Sequence, residues 1–61
     1  MNKDLLRIVI NYIEKGYSHE DLRWGDDLYD ASDEDIETCM LYYDEVIEEG
    51  TKWAYKQLEN D

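Results

Sequence analysis

The chain has little with which to staple itself. Its 61 residues include one cysteine, Cys39, and one histidine, His19. An internal disulfide is therefore excluded, and a structural zinc site lacks the Cys and His ligands it needs. A single thiol suits a reducing compartment, and the expected address is the cytoplasm. No apolar run is long enough for a signal peptide or a membrane span, because LLRIVI is broken by Arg7 and soon followed by Asn11. No membrane partner is expected. A single domain of this size buries only about 60 % of the surface its unfolded chain exposes. With disulfide and metal removed, a second subunit is the remaining support, so a homo-oligomer is expected.

Basic residues are scarce as well. Six Lys and Arg stand against seventeen Asp and Glu, for a net charge of −11 at pH 7. The imbalance is local. Residues 1–17 set Lys3, Arg7 and Lys15 against Asp4 and Glu14, for +1. Residues 18–49 hold thirteen acids and one base, Arg23, for −12. Residues 50–61 set Lys52 and Lys56 against Glu59 and Asp61, for zero. Such a field repels nucleic acid and anionic membranes and attracts basic protein surfaces. Proline and low-complexity runs are absent, while 43 % of residues are hydrophobic, with two Trp and six Tyr. That apolar content argues for a folded chain, not a disordered acidic one.

The hydrophobic spacing is helical. Asn2 can cap a first helix with Asp4 in its first turn. Leu5, Leu6, Ile8, Val9, Ile10, Tyr12 and Ile13 fill an arc of roughly 200° on its wheel, and Gly16 stands where a helix ends. An arc this wide calls for two packing elements or a second subunit. SHEDL at 18–22 and SDEDI at 32–36 are parallel phrases, each with a Ser N-cap, acids in the first turn and an aliphatic residue four positions on. Ser18 opens a short helix ending near Gly25, and an irregular link, WGDDLYDA, leads to Ser32. From Asp33 the spacing predicts one helix to Glu59, continuous through Gly50. Ile36, Met40, Tyr43, Ile47, Gly50 and Ala54 share its core face, with Cys39, Val46, Trp53 and Leu58 on the flanks. A helix ending at Glu49, with a new one starting at Thr51, is the alternative. Tyr12, Tyr43, Trp53 and Trp24 are candidate core residues, and Tyr17, Tyr29 and Tyr55 suit a dimer seam or the link. The expected fold is all-α: helix, short helix and long C-terminal helix in one small bundle, completed by dimerisation.

Chemistry finds little footing. WGDDLYDASDEDIE carries seven carboxylates in fourteen residues. An EF-hand loop needs glycine at its sixth position, where starts at Asp30 and Asp26 place Asp35 and Ala31. His19 and Cys39 are the one conventional nucleophile pair, and Cys39 lies on the apolar side of its helix. The three glycines are isolated, so no phosphate-binding loop is present. No enzyme activity, cofactor or metal is expected.

The acidic face is the informative feature. Opposite the core stripe of the long helix lie Glu34, Glu37, Asp44, Glu45, Glu48 and Glu49, with Leu41 among them and Tyr42 also turned from the stripe. Eight acids between Asp33 and Glu49 span about 25 Å, one per roughly 3 Å. One strand of DNA presents a phosphate per about 3.4 Å. Pairs such as Glu34/Glu37 and Glu45/Glu49 are like charges on one face, each costing a few tenths of a kcal/mol. A helix built only for solubility would intersperse lysines, and none occurs between Arg23 and Lys52. In composition and charge the chain resembles the small acidic DNA mimics by which phages and mobile elements block DNA-binding enzymes, and more distantly the bacteriocin immunity proteins. The resemblance implies a non-enzymatic inhibitor or modulator whose partner is a basic, nucleic-acid-binding protein, with no direct nucleic-acid binding. The candidate docking residues are Asp26, Asp27, Asp30, Asp33, Glu34, Glu37, Leu41, Tyr42, Asp44, Glu45, Glu48 and Glu49. A homodimeric adaptor with a merely solvated acidic surface is the competing expectation.

Overall fold

Asn2 opens the first helix by accepting the Leu5 amide on its side chain at 3.2 Å. The helix, α1, runs Lys3–Glu14. It ends in a Schellman motif: Gly16, at φ 82°, donates to the Ile13 carbonyl at 3.0 Å, and Tyr17 donates to that of Tyr12 at 2.9 Å. The Tyr12 and Tyr17 rings lie 5.2 Å apart across the motif. Four more elements follow in the computed structural model, which describes residues 1–59: α2 (His19–Arg23), a 3₁₀ turn (Asp26–Leu28), α3 (Asp33–Glu49) and α4 (Thr51–Glu59). Ser18 and Asp21 form a reciprocal capping box on α2, and Ser32 Oγ accepts the Asp35 amide at 3.1 Å to open α3. The all-α bundle is therefore the fold. Among the described residues no helix is long and apolar enough to cross a membrane.

The expected continuous helix from Asp33 to Glu59 is two helices that meet at Gly50. This glycine adopts φ 97°, ψ 158°, a region that side-chain-bearing residues scarcely enter. Its amide closes α3 on the Val46 carbonyl at 2.7 Å, and its carbonyl takes the Ala54 amide at 3.2 Å as the first bond of α4. A single residue thus ends one helix and starts the next. The turn brings α4 back onto α1, which packs against both α3 and α4. The wide apolar arc of α1 is covered by two elements of its own chain.

The core contains Leu5, Leu6, Val9, Ile10 and Tyr12 from α1, Leu22, Leu28, then Cys39, Met40, Val46 and Ala54. Ile10 and Val46 are buried within the single chain. Of the expected α3 stripe, Ile36, Met40 and Tyr43 meet the core as placed, and Ile47 does not. Cys39 and Val46 are its buried residues together with Met40, whereas Ile47 is 60 % exposed. The 4-3-4 line leaves the core only at Ile47, near the C-terminal end of α3. With α4 turned away, the inward line passes through Cys39, Tyr43 and Val46, within about 60° of one another. Trp24, expected in the core, is 78 % exposed.

Tyrosine hydroxyls tie the helices together at their rims. Tyr43 donates to the Tyr17 carbonyl at 2.8 Å, and Tyr55 donates to Glu14 Oε1 at 2.6 Å, joining α4 to α1. At Gly25 the backbone passes so close to the Tyr12 ring that an added Cβ would lie 2.8 Å from Cζ and collide with the hydroxyl.

Because a Cβ at Gly50 meets no neighbouring atom, Gly50→Ala isolates the cost of the backbone conformation. Urea unfolding should show a loss of about 1–3 kcal/mol. A variant as stable as the parent would mean that the α3–α4 turn does not depend on this conformation.

Candidate functional site

All ten candidate acids are exposed: Asp26 and Asp27 in the 3₁₀ turn, Asp30 just after it, and the rest on α3. Glu34, Glu37, Asp44, Glu45 and Glu48 fall within an arc of about 100° on the α3 wheel, with Leu41 near its middle and Asp33 and Glu49 at its edges. Leu41 is 65 % exposed, so the row has one apolar contact point along it. Asp26, Asp27 and Asp30 precede the N-terminal end of this row.

The acids differ in what already holds them. Ser32 caps α3, and Asp33, Glu34 and Asp35 lie in its first turn, where the helix dipole favours negative charge. Asp44 Oδ1 stands 3.8 Å from His19 Nε2, too far for a hydrogen bond. That nitrogen is shielded from solvent with no hydrogen-bond partner, and the imidazole meets the Tyr43 ring edge-on at 5.3 Å. Asp27 has a structural duty. Burial raises the Tyr12 phenol above its ordinary value, and the hydrogen bond and charge of the Asp27 carboxylate raise it further. Asp27 therefore supports the α1–turn contact as well as the surface field. Glu45, Glu48 and Glu49 have no such account, and the last turn of α3 contains no basic residue.

Tyr42 is placed differently from expectation. Its ring is half-buried against the core, and its hydroxyl accepts the Asn2 amide at 2.8 Å, so it anchors the start of α1. At i+1 from Leu41 it is turned 100° around the helix, far enough to leave the outer face. Trp24, expected in the core, and Tyr29, expected at a dimer seam or the link, were not among the candidate docking residues. Both are exposed beside the link acids, and the Arg23 guanidinium lies 5.5 Å from the Trp24 ring centroid. A tryptophan capping the C-terminal end of a five-residue helix, inside an acidic segment, was the available signal.

Cys39 is fully buried, and burial, with the Asp35 charge behind it, pushes its thiol up to about 11. A buried, protonated thiol is a packing group. Among the described residues no three His, Cys, Asp or Glu side chains converge into a group that could hold a metal ion. Comparison of the chain with protein-family models, curated proteins and solved structures returns no match.

Two solution measurements follow from these charges. The crowded acids of α3 repel one another, so raising NaCl from about 20 mM to about 500 mM should lift the thermal midpoint by several degrees. A flat or falling midpoint would show that the acids do not strain the fold. The Cys39 thiol keeps its proton in the folded chain above the ordinary value of 9.0, where an unfolded chain loses it. Its contribution is complete below about pH 9 and is lost as pH rises towards 11; Tyr12 and Tyr55, also raised, act in the same direction. The urea midpoint should therefore fall between pH 8 and pH 10.5, by less in Cys39→Ala. An equal fall in both would remove Cys39 as a cause.

Proposed function

We propose that this protein is a non-enzymatic binding protein whose α3 face docks on the basic surface of a nucleic-acid-binding protein and competes there with the polyanion. The observation that carries this reading is the C-terminal half of the acidic row. Acids in the first turn of α3 stabilise the helix. Glu45, Glu48 and Glu49 lie at its negative end, repel one another, and have no basic residue in the last turn beside them. They cost stability in the free protein, and a cationic partner relieves that cost. The spacing of carboxylates along α3, near that of phosphates along a DNA strand, supports a partner adapted to nucleic acid. Leu41 supplies an apolar contact within the field, and the compositional likeness to phage and mobile-element DNA mimics points the same way.

The test is capture from bacterial lysate at low salt, followed by a salt gradient. The reading expects one nucleic-acid-binding protein that DNA displaces. Glu45→Lys with Glu48→Lys should weaken its binding by about tenfold or more, because like charges then face each other. Both positions are exposed, so circular dichroism should show the same helix content. Undiminished binding by the reversed protein would overturn the reading.

A further inference from the structure

The geometry points to a second recognition element beside the acidic row: a groove between α2, the 3₁₀ turn and α3 that takes an arginine side chain of a protein partner. The inference deepens the docking reading above and rests on it for the partner's basic character. Two adjoining hollows of about 230 and about 190 Å³ make up the groove. Arg23 and Ile36 line both. Trp24, Leu28 and Tyr29 complete the apolar hollow, and Asp33 and Glu37 complete the polar one. Small-molecule pockets run to about 300–1,000 Å³, so hollows of this size suit single side chains.

Three observations select arginine. Trp24 and Tyr29 are 78 % and 85 % exposed, although a chain with so small a core gains from burying every ring it can. Both rings line one hollow beside the buried Leu28, where they are open to a ligand. Next, the chain's own Arg23 already sets its guanidinium over Trp24 at 5.5 Å, the arrangement in which a cation is attracted to a ring face. Finally, the charge lining the groove is unbalanced. Asp33 and Glu37 stand there against Arg23 alone. A second guanidinium is favoured there, and a phosphate is not. Arginine fits better than lysine because its planar fork can stack on an indole and pair with a carboxylate at once, while its stem lies on Ile36 and Leu28.

The experiment titrates the whole protein with acetylated, amidated tetra-arginine and tetra-lysine peptides, read by calorimetry and by the Trp24 indole N–H in NMR spectra. At about 150 mM salt the arginine peptide should bind about three- to tenfold more tightly, with the Trp24 signal shifting. Trp24→Ala should abolish that preference and leave weaker binding of both peptides that disappears at high salt. The ring is largely exposed, so helix content should be unchanged. Equal affinities, a preference that survives Trp24→Ala, or no binding of either peptide at millimolar concentration would overturn the groove. So would a Trp24-dependent dimer in sedimentation, which would assign the groove to a second copy. A Trp24-dependent arginine preference with no loss of partner on Glu45→Lys/Glu48→Lys would keep the groove and remove the docking reading. The opposite pair of results would remove the groove alone.

Discussion

The rest of this structure depends on covering α1. Leu5, Leu6, Val9, Ile10 and Tyr12 are all buried, with Ile8 and Ile13 packed beside them, and one neighbouring helix cannot span so wide an arc. α3 covers one side and α4 the other. That arrangement requires the chain to turn sharply after Glu49, and only glycine holds the conformation found at Gly50. A straight continuation would have left Ala54, Trp53 and Leu58 without a partner. The turn also decides which face of α3 points inward, and therefore which residues are left outside.

A chain this short has few interior residues to define its geometry, and it uses tyrosines to add definition. Tyr12 is the centre of this arrangement. Its ring closes the Schellman end of α1 against Tyr17, lies beneath Gly25, and presents its hydroxyl to Asp27. Tyr42 holds the start of α1, Tyr43 holds the loop after it, and Tyr55 holds α4 to Glu14. Tyr12, Tyr42 and Tyr43 give apolar contact to the core and a polar tip to the rim, which suits half-wet positions in a small bundle. Several side chains suited by sequence to a binding surface or a dimer seam are thereby committed to the fold.

What could be read from the sequence was local. The caps at Asn2, Ser18 and Ser32, the Gly16 ending and the inward face of α1 each depend on a few neighbouring residues, and each is where the spacing placed it. The outward position of the α3 acids was legible for the same reason. Gly50 was not. Its spacing fits the core stripe of a continuous helix as well as it fits a break, and only the need to cover α1 decides between them. Ile47 and Tyr42 stand at similar angles on either side of the line through Cys39, Tyr43 and Val46, so the wheel alone did not decide that one is exposed and the other half-buried. Trp24 was missed because a large ring is normally a core residue, and the exception lies in what the short α2 can reach.

The acidic crowding divides into two parts with different physical causes. At the N-terminal end of α3, Asp33, Glu34 and Asp35 complement free amides, and the Ser32 cap reinforces them. Folding alone accounts for these acids. At the other end, Glu45, Glu48 and Glu49 meet the carbonyl end of the same helix with no lysine or arginine in its last turn. Local stability would favour basic residues at these positions. The fold turns away immediately afterwards at Gly50, so α4 does not cover them, and they remain exposed. A helix that places its unfavourable charges on an uncovered face keeps a field that its own packing does not require. That half of the row, and not the density of acids as such, carries the inference of a cationic partner.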